Sequence, residues 1–543
     1  MPSLLIATIF LPLVGVLLVG LFSKMGRFAV RQSALVTTLV TFALACVLVA
    51  NYKSGTFAQS SFPWLKSLPA VSVELSLGLD GLSVWLFALS ALLMVTSVLV
   101  SWEAIEDRPA TFYALLLMLE TGTLGVFAAR DIILFYIFFE FTLIPLFFLI
   151  GIWGSEERRY AAIKFFLYTL AGSLLTFLGL LSIVIWVYNH ESQRMIFSIA
   201  ELTQSLASHP MSRALQLWIF AALFAGFAIK VPLFPLHTWL PLAHVQAPTA
   251  GSVILAGVLL KIGTYGFLRF SVPMLPVATA VCVPWLLWLS VTGIIYGALV
   301  ALAQTDVKRL IAYSSVSHLG FCMLGLFALN RLGTEGSVLQ MVNHGLSTGG
   351  LFAVVGMMYE RYHTREIRQL GGLASQTPRL ALFMLVFTLA SIGLPGLNGF
   401  SGEFPILLGM FQRATAEAST NWGLQFKVIA VLATFGVVLG AWYMLWLVER
   451  TFFGPLRHPE RHDAHDHKPV SDLSLREVFA LVPLVVFIVW IGLCPQFFLE
   501  RTQPTLDELT ASSVQTFADL KQPAQPIVAS PPAQAIDEVT RVD

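Results

Sequence analysis

The stretch Ala228–Gly251, AIKVPLFPLHTWLPLAHVQAPTAG, decides how this chain is folded. It lies in an oily run of sequence, yet it holds Lys230, His237 and His244 among Pro232, Pro235, Pro241 and Pro248. Proline removes a backbone donor and clashes with the preceding turn, so the carbonyls it frees need other partners. Inside a bilayer such a break is tolerated only where the backbone is buried in protein or lines a wet cavity. A charge set beside the break therefore marks a membrane helix opened for water, and Lys230 becomes a functional candidate.

The rest of the composition supports a membrane setting. The chain has 543 residues, 57% hydrophobic and 12% charged, with a mean hydropathy of +0.79, outside the range of soluble globular domains. About fourteen apolar runs approach or exceed the length needed to cross a bilayer as helix. They start near Leu4, Ser33, Leu82, Phe112, Ile132, Ile163, Leu215, Val253, Trp285, Leu310, Val338, Leu380, Val428 and Val478. The expected fold is an all-α polytopic membrane protein. The first run has no basic residue before it and reads as a permanent span rather than a cleaved signal. Cys46, Cys282, Cys322 and Cys494 sit in apolar runs without CxxC spacing, so no disulfide frame, zinc site or iron–sulfur site is indicated. A net charge of +1 and the lack of a basic stripe exclude a nucleic-acid partner.

Lysine and arginine set the orientation. Loops after odd-numbered runs carry about 18 of them against about 12 on the other side, which puts both termini outside, in the periplasm of a bacterial inner membrane. The longest loops, Asn51–Asp80, Asn189–Ala214 and Glu449–Glu477, leave no room for a soluble catalytic domain, so any chemistry belongs inside the bundle. Residues 1–498 form the membrane domain, and the tail 499–543, rich in Pro, Ala and Gln at its end, reads as disordered.

The seventh run is not alone in being interrupted. The twelfth contains SIGLPGLNGFSGEFPILLG, with Pro395, four glycines before Glu403, and Glu403 itself. The two breaks stand five spans apart, and a five-helix repeat necessarily begins on opposite membrane faces. Spans four to eight and nine to thirteen, roughly residues 112–270 and 285–453, are therefore expected to be inverted repeats.

Ionisable residues collect at similar depths. Glu140, Lys230, Lys261 and Glu403 are the principal candidates; His318 and His344 lie mid-span, His237 and His244 are expected nearer the surface, and Glu120 adds a carboxylate to span four. Burial disfavours the charged form of lysine and glutamate alike, and pairing favours it. Making and breaking a Glu140–Lys230 ion pair would thus load and unload a proton, with Lys261 as the next station and histidines as relays. Water would reach Lys230 from the inner face past His237 and His244. The structural alternatives are a static packing pair for Glu140 and Lys230, an unseen partner for Lys261 and Glu403, and helix–helix hydrogen bonds for His318 and His344. Glu120 has the same alternative. The segment HPERHDAHDHKP, with His458, His462, His465 and His467, reads as a polar loop rather than a metal site.

At these residues the chain resembles a known family. FFEFTLIPLFFLIGIWG, KVPLFPLHTWLPLAHVQAPTAGSVILAGVLLKIGTYGFLRF, AQTDVKRLIAYSSVSHLGF, NHGLSTGGLF and LPGLNGFSGEF are similar to the subunit M family of bacterial respiratory complex I, the NADH-quinone oxidoreductase, whose mitochondrial counterpart is subunit 4. The resemblance runs from about Met1 to Phe498. It implies an antiporter-like, proton-translocating subunit with inverted five-helix repeats and broken spans seven and twelve. It also implies Glu140, Lys230, Lys261 and Glu403 as proton stations, with His237, His318 and His344 along the axis between them. Flavin, iron–sulfur clusters and quinone would be held by partner subunits and no cofactor or metal by this chain. Its partners would be other membrane-arm subunits, above all the two other antiporter-like ones, together with lipid and protons. The related alternatives are the Mrp-type cation/proton antiporters and the membrane subunits of energy-converting hydrogenases, which more often place lysine where Glu403 stands. A quinone-holding module finds no distinct polar cluster in the sequence, and a plain scaffold leaves the broken spans unexplained.

Overall fold

The structure, a computed structural model, describes residues 1–65, 71–457 and 470–520. The loop histidines His458, His462, His465 and His467 lie outside the described residues. Among the described residues twelve helices are long and apolar enough to cross a membrane, and the shorter Val84–Val100 and Pro378–Ser391 fill two further places. In chain order, numbered as spans one to fourteen, they are Pro2–Leu21, Arg27–Asn51, Val84–Val100, Pro109–Ala128, Ile132–Trp153, Arg158–Val187, the divided pair Arg213–Lys230 and Trp239–Gln246, Thr249–Met274, Pro276–Leu302, Val307–Phe327, Arg331–Tyr362, the divided pair Pro378–Ser391 and Asn398–Ala416, Gly423–Phe452, and Leu475–Leu493. Both breaks fall where the prolines and glycines demand.

Short connections are capped by side chains. Asp131 accepts from the backbone N–H groups of Ile133 and Leu134 to start span five, Asp306 from Arg309 to start span ten, and Asn330 from Gly333 to start span eleven. Spans eight and eleven are enclosed along their whole apolar windows, whereas only a third of the first, second and fourteenth windows is buried. Polar residues concentrate in the enclosed spans, and lipid-facing ones carry the exposed Leu, Val and Phe side chains.

Small residues let the central helices touch, because apolar surface alone gives no drive to pack within lipid. A Cβ on Gly226 of span seven would sit 1.8 Å from Thr176 Oγ1 and 2.5 Å from the Gly172 carbonyl of span six. One on Gly257 of span eight would meet Leu93 at 2.2 Å.

Two regions depart from the sequence reading. The loop Asn51–Asp80 forms an antiparallel hairpin, Phe57–Leu65 with Val71–Leu79, and Met195–Ile196 joins its second strand in parallel. The alternation Val73, Leu75, Leu77 and Leu79 against Glu74 and Ser76 is a period-two pattern, the signal of a half-buried strand. The tail is a correction: residues 499–519 are not disordered, because a helix runs Gln496–Asp519. Its Phe498, Thr502, Leu506, Thr510, Ser513 and Phe517 recur at helical spacing and are buried against the bundle. Ser513 Oγ donates to the Val272 carbonyl at 2.6 Å, and the Gly81 N–H donates to Thr505 Oγ1 at 3.1 Å. Residues 521–543 lie outside the described residues.

Candidate functional site

The enclosed spans hold a continuous row of ionisable groups. Span eight widens into π-helical turns at Leu255–Leu259 and Phe267–Ser271, on either side of Lys261. Such turns break the regular ladder and often mark functional positions. Lys261 is fully buried; its Nζ donates to the Ala256 carbonyl and lies 2.7 Å from His344 Nδ1 of span eleven. The His344 ring lies 5.6 Å from that of His318 on span ten, and His344 Nε2 is buried without a protein partner. His318 Nδ1 is 2.8 Å from Glu403 Oε1, and its Nε2 is 3.2 Å from Ser391 Oγ. Gln340 Nε2 donates to the same Glu403 oxygen at 2.9 Å. Lys261, His344, His318 and Glu403 thus run across spans eight, eleven, ten and twelve as a single line.

The break in span twelve is what lets Glu403 join that line. Gly393 (φ +74°) and Gly396 (φ +90°) adopt left-handed conformations that other residues resist. Asn343 Nδ2 donates to the Asn398 carbonyl, at the start of the second half-helix, at 2.6 Å, and Asn398 Nδ2 donates back to the Asn343 carbonyl at 3.2 Å. These reciprocal amide bonds tie the start of the second half-helix to span eleven.

The seventh span ends its first half at Lys230, and Trp239 Nε1 donates across the break to the Ile229 carbonyl at 2.9 Å. The expected Glu140–Lys230 contact pair needs correction. Among the described residues no ion pair within 4.0 Å joins them, and Lys230 Nζ lies 4.7 Å from the centroid of the Phe139 ring. Phe139, the neighbour of Glu140, takes the close contact as a cation–π partner. The charge of Glu140 still acts on Lys230 through the gap, and one Glu140 oxygen is buried without a hydrogen bond.

The remaining histidines are deeper than expected. His237 is 3% exposed, packed between Phe234, Tyr296 and Tyr313, and His244 is 0% exposed, stacked on Phe352 with ring centroids 4.5 Å apart. His237, in the break of span seven, is buried against spans nine and ten, and His244, in its second half, against span eleven. Neither His244 ring nitrogen has a protein partner. Glu120 is fully enclosed in span four with both oxygens unpartnered, apart from the line of groups just described.

Sequence reasoning missed Gln340, Asn343, Ser391 and Asn398, which hold the line in place. Their signal was available, since uncharged polar residues in an enclosed span are costly unless bonded. It also missed a buried cluster at the opposite end of span eight. Asp80 lies 2.6 Å from both Arg130 and Arg269, and Arg269 Nε donates to Tyr265 at 3.2 Å. Burial disfavours the Asp80 carboxylate, but the guanidiniums of Arg269 and Arg130 outweigh it and hold the group well below the usual carboxylate range.

Broken spans around a buried row of lysine, histidine and glutamate define an antiporter-like membrane protein. The family described as NADH:quinone oxidoreductase/Mrp antiporter, transmembrane, matches residues 129–434. Over 519 residues the chain is 41% identical to NADH-quinone oxidoreductase subunit M of Rhodobacter capsulatus, covering 94% of this chain and 96% of that one. It is 39% identical over 523 residues to subunit M of Escherichia coli K12, covering 92% and 96%. A chain of respiratory complex I from Thermus thermophilus superposes with a TM-score of 0.81 at 32% identity, over 94% of this chain and 99% of that one. A chain of the Mrp complex from a Dietzia species shares the fold, with a TM-score of 0.75 at 20% identity and the same coverages. The chain belongs to the NADH:quinone oxidoreductase/Mrp antiporter transmembrane family, in its subunit M branch, and is a membrane subunit of a proton-translocating NADH-quinone oxidoreductase.

Proposed function

We propose that this subunit carries protons across the membrane through Glu140, Lys230, Lys261, His344, His318 and Glu403, driven by quinone reduction in other subunits. The observation that carries this reading is the line from Lys261 to Glu403, in which each neighbour is either bonded or within one water of the next. Histidine suits a relay because each ring can accept on one nitrogen and donate from the other. The gap between the His344 and His318 rings suits a bridging water, given the unpartnered His344 Nε2. Lys230 and Glu140 form the other half, where their separation sets whether Lys230 keeps its proton. His237, buried beside the break in span seven, is a further relay candidate, and Glu120 a secondary one.

On this reading the two halves are the inverted repeats 112–270 and 285–453, and Lys261 links them. Flavin, iron–sulfur clusters and quinone are held by partner subunits, and the neighbours in the membrane arm are the other antiporter-like chains. The membrane is the bacterial inner membrane, with both termini in the periplasm by the lysine and arginine bias.

The test is Lys230→Ala in the assembled complex, with quinone reduction and proton uptake into vesicles measured side by side. Normal assembly with a fall in proton uptake of about a hundredfold or more, the scale of a lost acid–base group, supports the path. Normal assembly with turnover and uptake both intact makes Lys230 a packing residue and removes the first half of the mechanism.

A further inference from the structure

A cavity of about 560 Å³ lies on the face opposite the lysine- and arginine-rich loops, lined by the surface helix Ile199–Ser208 and the helix Gln496–Asp519. Gln216 at the start of span seven fixes its shape, since Nε2 donates to the Met211 carbonyl at 3.1 Å and Oε1 accepts from the Val277 N–H at 3.0 Å. The Asp80 cluster forms part of the wall. Arg130 and Arg269 share the single carboxylate of Asp80, which leaves one positive charge over. Arg130 also donates to Thr56 Oγ1 at 3.1 Å, and its side chain is 16% exposed. A guanidinium carries five N–H groups, so Arg130 retains donors for a ligand in the cavity.

Glu508 lines the same cavity from the helix Gln496–Asp519. It is exposed, and among the described residues it forms no ion pair within 4.0 Å. The cavity therefore holds a surplus cation and a carboxylate that do not reach each other. An anion alone would suit the guanidiniums and crowd Glu508 with like charge, and a cation alone would do the reverse. A molecule with a phosphate and an ammonium a few bonds apart satisfies both. The remaining wall is apolar, with Pro210, Met211, Pro273, Met274 and Leu509. Two residues beyond Gln216, Trp218 is 77% exposed on span seven, in the way aromatic side chains mark the membrane–water interface. The cavity thus stands at the level of lipid headgroups, with apolar side chains where glycerol and the first methylenes would lie.

We propose that this cavity binds the headgroup of one phosphatidylethanolamine-type lipid, its phosphate on Arg130 and Arg269 and its primary ammonium on Glu508. Guanidinium forks match phosphate oxygens, and the surplus charge of the pair offsets the phosphate. A primary ammonium brings three N–H donors to the carboxylate, whereas a trimethylated choline group brings none. The bound lipid bridges Glu508 on the helix Gln496–Asp519 to Arg130 before span five and Arg269 on span eight, so it braces that helix against the bundle.

The test places p-benzoylphenylalanine at position 207, where Ala207 is an exposed residue of the cavity wall, in the assembled complex. The complex is irradiated in vesicles of dioleoyl phosphatidylethanolamine with phosphatidylglycerol, and in vesicles where phosphatidylcholine replaces the phosphatidylethanolamine at the same ratio. Lipid adducts are read by mass on the tryptic peptide 195–213, bounded by Arg194 and Arg213. Phosphatidylethanolamine adducts should exceed their share of the bilayer by about fivefold, the scale of one partly exposed ion pair, and phosphatidylcholine adducts should not. Glu508→Gln should remove that enrichment. Adducts in the bilayer ratio in both vesicles, or no lipid adduct at all, overturn the proposal, as does enrichment that Glu508→Gln leaves intact. Inorganic phosphate in excess should leave the adduct unchanged; if it abolishes the adduct, the cavity holds a free anion and the lipid assignment falls. Should Glu508→Gln not assemble, the comparison between the two vesicle compositions decides by itself.

Discussion

Lys261 Nζ lies 2.7 Å from His344 Nδ1, in a site where both side chains are enclosed and, among the described residues, no carboxylate bonds to either. One of the two nitrogens must offer a lone pair to the other's N–H, so the contact holds only while the pair is short of one proton. Adding that proton forces the groups apart or pushes it on toward His318. On the proposed path this contact is a proton switch, at the end of the line that leads to Glu403.

His344→Gln tests that switch directly. The glutamine amide can still accept from Lys261 and donate onward, and it fits the space, but it cannot carry a proton. Assembly and NADH oxidation with an artificial acceptor should be unchanged, while quinone reduction coupled to proton uptake drops by about tenfold or more. Full coupled activity would leave His344 as a helix–helix hydrogen bonder.

Glu403→Gln probes the far end. His318 Nδ1 and Gln340 Nε2 both point at Glu403 Oε1, and an amide oxygen can take that place. Packing is preserved, so the variant should assemble at wild-type levels. Loss of the ionisable carboxyl should lower proton uptake by about tenfold or more, measured as quenching of a pH-sensitive dye in vesicles. Gln340→Ala should cost less, because it removes only a positioning donor.

Much of this was legible in the sequence, and the reasons are physical. A lysine beside proline in an apolar run, or a glutamate after a glycine-rich break, cannot sit in lipid, so Lys230, Lys261 and Glu403 announced themselves. Which partner each one meets was not legible. Lys261 and His344 are joined by the way span eight packs on span eleven, and Phe139 displaced the ion pair drawn between Glu140 and Lys230, because side-chain direction on a helix follows packing as well as spacing. The helix Gln496–Asp519 was hidden for a different reason. Its buried face is built largely from Thr and Ser, which hydropathy reads as loop although their spacing is helical.

The Asp80 cluster anchors the hairpin, span eight and the loop before span five to one another. Asp80→Asn would leave Arg269 buried without its counter-charge, which costs about 3–5 kcal/mol when one partner of a buried pair is removed. The expected outcome is lower assembly and earlier loss of the subunit on heating, read on a native gel. Because the folded carboxyl is held well below its unfolded value, the stabilisation is fully present above the ordinary aspartate range near ~4 and is lost only as pH falls through the lower folded value. Wild-type complex should therefore keep its heat resistance from neutral pH down to about 5 as far as this cluster is concerned, whereas Asp80→Asn should be weaker across that whole window.

The last prediction concerns the helix Gln496–Asp519, which clasps the same face. Trp85 Nε1 donates to the Phe498 carbonyl at 3.3 Å, Ser513 bonds span eight's end, and the Arg413 guanidinium lies 3.8 Å from the Phe517 ring centroid. Truncation after Leu520 keeps every one of these contacts and should leave assembly and coupled activity at wild-type levels. Truncation after Pro495 removes them all, opens apolar surface on spans three, nine and eleven, and leaves the polar ends of span eight and the hairpin without partners. That variant should assemble poorly, with the subunit reduced several-fold in membranes by immunoblot, because each lost buried hydrogen bond costs about 1 kcal/mol and the buried apolar side chains add more. Equal levels for the two truncations would mean that the bundle of fourteen spans stands without its clasp, and that the helix serves contacts with a neighbouring subunit instead.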